Sequence, residues 1–195
     1  MHSQAHDVGA PSLLESLRTG TALLHVALEQ RLPFFSERLD ADWYQRLLQA
    51  YYGFYAPMEA ALYDCELIPE GFDQAMRVKT PTLVRDLYAL GLDDHAINAL
   101  PRCANLPPLD TPAACLGALY VLEGATLGGQ VLRREMAQRL GLEADTGGAF
   151  LNVYGIETGR RWKDFLDYLG SMPLDAPARQ RAVDAARSTF SCFEQ

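Results

Sequence analysis

The chain has 195 residues, of which 49% are hydrophobic, so it is long enough to bury the core of one domain. Its 17 basic and 25 acidic side chains give a net charge of -8, which argues against a surface built for nucleic acid or for an anionic membrane. The four cysteines, Cys65, Cys103, Cys115 and Cys192, stand singly without a CxxC pair, which excludes the usual zinc-binding motifs. We expect them to be free thiols in a reducing cytoplasm.

The N-terminal segment MHSQAHDVGAP has neither the basic start nor the apolar core of a signal peptide. No apolar stretch approaches the roughly 18 residues that a transmembrane helix needs. We therefore predict a flexible tail over residues 1–11, one domain over residues 12–195, and a cytoplasmic location.

Apolar residues recur at three- and four-residue spacing along nearly the whole chain, which predicts helices, and no segment alternates as a strand does. Capping side chains, prolines and glycines mark the helix ends. In chain order, helices are predicted over residues 12–32, 42–67 with a bend near Pro57, 80–91, a short one from 93, 111–141, 151–169 and 177–193. The predicted fold class is all-α, a single-domain helical bundle.

One face of the first predicted helix carries a histidine, His25, among leucines. A histidine in such a position is more often a hydrogen-bonded core residue than a metal ligand. Glu29 lies one turn further on, where its carboxylate can reach one ring nitrogen, fix the tautomer and leave the other nitrogen free for a metal. His25 and Glu29 are therefore a candidate ligand and its hydrogen-bonding partner.

The predicted helix over residues 111–141 contains three clustered glycines, Gly124, Gly128 and Gly129, in the run YVLEGATLGGQVL. Each interior glycine costs roughly 0.5–1 kcal/mol relative to alanine, so the cluster needs a compensating reason. Close packing of another helix is one explanation. A phosphate-binding loop is excluded because the glycines lie well inside the helix. A second explanation for the glycine cluster is a flat apolar cofactor that lies on the bare helix. Such a cofactor requires an opposing ligand, such as His25.

The segment LRTGTALLHVALEQ around His25 and the glycine run resemble, in their order and separation, two segments of the haem oxygenases. The C-terminal segment PLDAPARQRAVDAARSTF resembles that family's last helix, so the similarity covers nearly the whole chain. It is nearest to the bacterial enzymes, including those that work beside bacteriophytochromes.

The resemblance implies a site between the first helix and the glycine helix for haem b, which is both cofactor and substrate. His25 is implied as the iron ligand, with Glu29 as its partner. The implied distal wall, beside which dioxygen reacts, is the bare helix at Gly124, Gly128 and Gly129. Three further side chains, Arg18, Tyr120 and Lys163, are implied as partners of the haem propionates.

The chain departs from the family pattern at Ala125. Animal members carry an aspartate right after the first glycine of the run, where it holds the distal water network. The resemblance therefore implies that Thr126, or a residue from another helix, organises the water here. Gly124, Gly128 and Thr126 are accordingly the predicted catalytic positions.

The implied reaction converts haem, dioxygen and reductant to biliverdin, carbon monoxide and ferrous iron. Electrons would come from a reduced ferredoxin, a flavodoxin or a reductase, and a bacteriophytochrome could receive the biliverdin; no nucleic-acid or membrane partner is expected. A haem-binding or haem-trafficking protein on the same scaffold is an alternative. A thiaminase-like hydrolase is another, but its candidate residues, Cys115 and Glu123, face differently on a regular helix.

Overall fold

A computed structural model describes residues 11–31 and 39–193. Over these ranges the chain forms seven α-helices and no strand, which confirms the predicted fold class. Residues 1–10 of the predicted tail, and Leu32 at the predicted end of the first helix, lie outside the described residues. The helices are α1 (Leu13–Arg31), α2 (Ala41–Tyr63), α3 (Thr80–Ala89), α4 (Asp94–Asn98), α5 (Pro112–Leu140), α6 (Thr158–Gly170) and α7 (Ala176–Phe193).

The helix ends follow from local side chains. Before α1, the Ser12 hydroxyl accepts the backbone N–H of Glu15, while the Glu15 carboxylate accepts the backbone N–H of Ser12, a reciprocal capping box. The Thr111 side chain caps α5 by accepting the N–H of Ala114. Gly141, at φ 65°, ends α5 in the left-handed conformation that glycine adopts without a steric penalty.

Two predicted helices differ from those observed. The second continues through Pro57 but ends at Tyr63, earlier than predicted. The helix predicted from residue 151 begins only at Thr158, because residues 150–157 form two short 3-10 turns, Phe150–Asn152 and Gly155–Glu157. Gly155 has a φ of 55°, which is incompatible with a continuous α-helix.

The long helix α5 lies at the centre of the bundle and packs most extensively on α7, and also on α6 and the Phe150–Asn152 turn. Close approach to α7 depends on Gly117, where an added Cβ would lie 2.0 Å from the carbonyl oxygen of Ala182.

The most apolar 18 residues of α5 have a mean hydropathy of 1.3, so by length and composition this helix could span a membrane. The prediction that no stretch approaches that length was therefore wrong, but half of that segment is buried in the bundle as core.

The expectation of free thiols is wrong for two of the cysteines. Cys103 and Cys192 form a disulfide between the loop before α5 and the end of α7. The Cys103 backbone N–H donates to the Gly53 carbonyl at 2.9 Å, which holds this loop against α2. Cys65 and Cys115 are free, with their sulfurs 3.1 Å apart. Sequence spacing could not show either pairing, because both depend on how the helices pack.

Candidate functional site

A cavity of about 560 Å³ opens between α1 and α5. Its walls are mainly aliphatic and aromatic with a few polar groups, which is typical of small-molecule sites of about 300–1,000 Å³. The lining residues are Arg18, Thr21, Ala22, His25, Leu28, Glu29, Tyr51, Phe54, Tyr55, Tyr120, Val121, Gly124, Ala125, Leu127, Gly128, Gly129, Val131, Leu132, Trp162, Phe190 and Phe193.

His25 lies on the α1 wall of this cavity rather than in the core, since its side chain is 61% exposed. Its Nδ1 lies 3.5 Å from Oε1 of Glu29, the i,i+4 contact expected from the sequence. The Phe190 ring packs edge-on to the imidazole, with centroids 6.3 Å apart. Because Glu29 is on the Nδ1 side, Nε2 is the nitrogen available to a ligand in the cavity.

Arg18 and Tyr120 lie near each other on the cavity wall and make a polar corner. Burial raises the pKa of the Tyr120 hydroxyl, and the nearby Arg18 charge and the Thr21 hydroxyl oppose that rise. The phenol therefore stays protonated at neutral pH as a hydrogen-bond donor beside a cation. This corner can bind a carboxylate. Two of the three predicted propionate partners, Arg18 and Tyr120, therefore lie at the same cavity.

The three clustered glycines of α5 have different surroundings. At Gly129 an added Cβ would lie 2.7 Å from the Leu151 carbonyl oxygen, so this glycine allows the Phe150–Asn152 turn to pack closely. At Gly124 it would lie at an ordinary 3.6 Å from the Trp162 ring, and at Gly128 it would meet nothing within 4 Å. The close-packing explanation therefore holds for Gly129, whereas Gly128 leaves bare backbone facing open space in the cavity.

Two predicted site residues do not line this cavity. The Lys163 ammonium pairs with Asp167 at 2.8 Å on an exposed face of α6, so the predicted contact with haem has no support in the structure. The Thr126 hydroxyl donates to the Glu123 carbonyl at 2.7 Å, within its own helix. Thr126 instead lines a separate small cavity behind Ala125.

A buried ionic cluster beside α5 was not predicted as part of the site. The Glu123 carboxylate, 2% exposed, accepts hydrogen bonds from Lys79 at 2.7 Å and Arg77 at 2.6 Å. It also accepts one from the Tyr154 hydroxyl at 2.9 Å. Lys79 is itself 1% exposed, so the ion pair compensates two buried charges. A glutamate inside an apolar helix was the available signal, but its partners are distant in sequence.

A second buried carboxylate fixes the turn behind Gly129. Asp86 of α3 accepts the Phe150 backbone N–H at 2.6 Å through Oδ2. Burial raises the pKa of Asp86, and its hydrogen bonds to Phe150 and Ala149 only partly oppose that rise. This contact ties the Phe150–Asn152 turn to α3, while Gly129 lets the same turn pack closely on α5.

A family model described as Heme oxygenase matches residues 11–195. The chain belongs to the haem oxygenase family. A heme oxygenase from Xanthomonas campestris pv. campestris (strain 8004) is 31% identical over 157 residues, covering 80% of this chain and 88% of that protein. Members of the family are enzymes that degrade haem, so the protein is an enzyme of this class.

Solved structures agree with the fold. The heme oxygenase of Leptospira interrogans superposes with a TM-score of 0.77 at 22% identity, over 94% of this chain and 97% of that chain. The NO- and CO-bound heme oxygenase of Neisseria meningitidis gives a TM-score of 0.75 at 22% identity, over 95% and 89%. The haem oxygenase fold thus matches along nearly all of the chain.

The thiaminase-like alternative lacks its pair of residues. Cys115 lies beside Cys65, while Glu123 is held by Lys79 and Arg77. Neither Cys115 nor Glu123 lines the cavity between α1 and α5.

Proposed function

We propose that this enzyme binds haem b between α1 and α5, with Nε2 of His25 as the iron ligand, and cleaves it to biliverdin. One observation carries the proposal: a single cavity has the His25–Glu29 pair on one helix and the bare backbone of Gly128 on another. A ligand pressed between these two walls can receive an imidazole nitrogen from α1 and still approach α5 closely.

The residues present fit haem by size and by chemistry. Haem is flat and mostly apolar, with two carboxylates at one edge, and the cavity combines apolar walls with the Arg18 and Tyr120 corner. An added side chain at Gly128 would project into the free space. We infer that the carboxylates bind at the Arg18 corner and that the apolar ring fills the space between the helices.

Bound haem supplies the iron at which dioxygen reacts and the ring that is oxidised. Glu29 lies 3.5 Å from Nδ1 of His25, where its carboxylate would accept the ring N–H and leave Nε2 for a ligand in the cavity. Gly128 leaves bare backbone on the opposite wall and Gly124 has only the Trp162 ring near it, so dioxygen would have room beside the ring. Ala125 also lines this wall and offers no acidic group there.

We also propose partners for the two ends of the reaction. A reduced ferredoxin, a flavodoxin or a reductase supplies electrons, and a bacteriophytochrome takes up the biliverdin. The reaction consumes electrons, and the relation to bacterial members of the family supports donors of this kind. Turnover with each purified donor in place of a chemical reductant tests the first part.

The deciding experiment adds hemin to the purified protein and then supplies reductant in air. We expect a Soret band on binding, followed by its loss and a green bilin product. A haem spectrum that persists under turnover conditions would indicate a carrier instead. The absence of any Soret change would contradict haem binding by either kind of protein.

A further inference from the structure

Two free thiols lie close together where the end of α2 meets the start of α5. Cys65 follows α2, which ends at Tyr63, and Cys115 is the fourth residue of α5. Their sulfurs are 3.1 Å apart. A disulfide needs about 2.0 Å between its sulfurs, so a movement of about 1 Å would bring this pair to bonding distance.

The two sulfurs differ in their access to solvent. Cys65 is half-buried and lines an open cleft, together with Asp64, Glu66 and Leu109. Cys115 is fully buried. A small solute in the cleft therefore contacts the Cys65 sulfur, whereas Cys115 is shielded from it.

Hydrogen bonds give the two thiols different roles. The Cys65 thiol donates to the Leu109 carbonyl at 3.5 Å, which leaves the Cys115 S–H to donate to the Cys65 sulfur. Burial, together with this hydrogen bond, raises the pKa of Cys115 to about 12, so Cys115 keeps its proton at neutral pH. Because the thiolate is the nucleophilic form of cysteine, Cys65 is the residue of the pair that can attack an oxidant.

The charges around the cleft select the oxidant. Asp64 and Glu66 flank Cys65 and are both exposed, and the whole chain carries a net charge of -8. An anionic oxidant such as glutathione disulfide is repelled by this surface. Hydrogen peroxide is uncharged and small, so it reaches the Cys65 sulfur without that penalty.

We propose that Cys65 and Cys115 form a peroxide-reactive dithiol, in which Cys65 attacks hydrogen peroxide and Cys115 then closes a disulfide. The bond links the end of α2 to the start of α5 and leaves the Leu109 carbonyl without its S–H donors. The site does not depend on haem, since both cysteines lie outside the lining of the cavity between α1 and α5.

The reaction has two steps. The Cys65 sulfur attacks one peroxide oxygen, the O–O bond breaks, and the departing hydroxide takes up the Cys65 proton to form water. The product is a sulfenic acid at Cys65. The Cys115 sulfur then attacks the Cys65 sulfur, the S–O bond breaks, and the hydroxide leaves with the Cys115 proton as a second water. The two thiols lose two electrons in total, and one peroxide gains them.

Thiol labelling of the haem-free protein tests the proposal, because bound haem would itself consume peroxide. The protein is treated with an equimolar amount of hydrogen peroxide, denatured, and labelled with iodoacetamide without a reductant. Untreated protein should carry two labels, on Cys65 and Cys115, since Cys103 and Cys192 are bonded. Treated protein should carry none, and its peptide map should show a link between Cys65 and Cys115. Two remaining labels, or a sulfinic acid at Cys65 with Cys115 still labelled, would overturn the proposal.

Two serine variants separate the roles of the cysteines. In Cys115→Ser, peroxide should leave a sulfenic acid at Cys65 that dimedone traps. In Cys65→Ser, the buried Cys115 should take up no dimedone. The reverse labelling pattern would contradict the assigned roles, and the wild-type result decides the proposal if a variant does not fold. Glutathione disulfide in place of peroxide should leave both wild-type thiols available to iodoacetamide; a link formed equally well would overturn hydrogen peroxide as the selected oxidant.

Discussion

Single side chains determine what the cavity can bind and what the core tolerates. His25 and Glu29 face the open cavity, where their polar atoms remain accessible to a ligand. Glu123 and Asp86 are buried instead, and they differ in their partners. Glu123 has two cations within hydrogen-bond distance, whereas Asp86 has backbone N–H donors and one oxygen, Oδ1, without a partner among the described residues.

Asp86 should make stability depend on pH. Its pKa in the folded protein lies above the ordinary value of 3.8, so between these two values the folded state binds more protons than the unfolded state. Its contribution to the free energy of unfolding is therefore fully present below pH 3.8 and is lost as the pH rises through the folded-state pKa. Urea unfolding of the wild-type protein and of Asp86→Asn across this range measures the effect. As the pH rises, the free energy of unfolding of the wild-type protein should fall relative to that of Asp86→Asn. Parallel curves would contradict it.

The buried cluster around Glu123 should be sensitive to loss of one cation. Lys79→Met leaves the carboxylate partly uncompensated in the core, and breaking a buried pair in this way costs about 3–5 kcal/mol. Lys163→Met is the control, because it removes an ammonium from an exposed pair on α6. Denaturant unfolding should show a large loss for the first variant and no measurable loss for the second. Equal losses of unfolding free energy in the two variants would contradict the importance of burial. Weaker haem binding by Lys163→Met would support the contact between Lys163 and haem that was predicted from the sequence.

Helix α5 combines two uses of glycine along one helix. Gly117 and Gly129 allow backbone to pack closely on two different neighbours, α7 and the Phe150–Asn152 turn. Gly128 meets no neighbour and leaves the cavity wall bare. The same residue type in the same run thus serves packing at one position and the binding site at the next.

Substitutions at adjacent glycines should therefore have opposite effects on stability. Gly128→Ala gains helix propensity without a clash and should raise the free energy of unfolding of the haem-free protein by up to about 1 kcal/mol. Gly129→Ala forces a methyl group against the Leu151 carbonyl and should lower it by about 1–3 kcal/mol. Thermal and urea unfolding measure both. Haem titration should show weaker binding for Gly128→Leu, and a destabilised Gly128→Ala would contradict the open environment of this residue.

The C-terminal helix α7 is joined to distant parts of the chain by a disulfide and by ring contacts. The disulfide joins Cys103 to Cys192 across 89 residues of sequence and fixes the end of α7. That end carries Phe190 and Phe193, which line the cavity, and the Phe193 ring packs 5.1 Å from the Phe54 ring of α2. The site therefore depends on segments far apart in the chain.

Loss of this cross-link should be visible only under oxidising conditions. Cys192→Ser should lower the free energy of unfolding by about 2–4 kcal/mol, the usual contribution of a disulfide that closes a long loop. Cys65→Ser removes a free thiol and should have a smaller effect. With excess dithiothreitol, wild-type protein and Cys192→Ser should unfold alike. A difference that persists in the reductant would show that packing of Cys192, not the bond, is responsible.

What could be predicted from the sequence was mainly local. The capping residues Ser12 and Thr111 and the terminal Gly141 fixed helix ends, and the four-residue spacing of His25 and Glu29 predicted their contact. These features need only neighbouring residues.

The remainder depends on tertiary packing. The partners of Glu123 come from residues 77, 79 and 154, and the cysteine pairs form across the bundle. Lys163 had a plausible position in sequence, but α6 directs it to an exposed face, while Trp162 lines the cavity. Spacing along one helix could not distinguish these directions.

The role of His25 is tested most directly by the ferric haem spectrum of His25→Ala. His95→Ala is the control, because His95 is exposed on α4 and does not line the cavity. We predict that His25→Ala loses the wild-type ferric spectrum, that added imidazole restores it, and that His95→Ala leaves it unchanged. A wild-type ferric spectrum in His25→Ala would contradict iron ligation by His25.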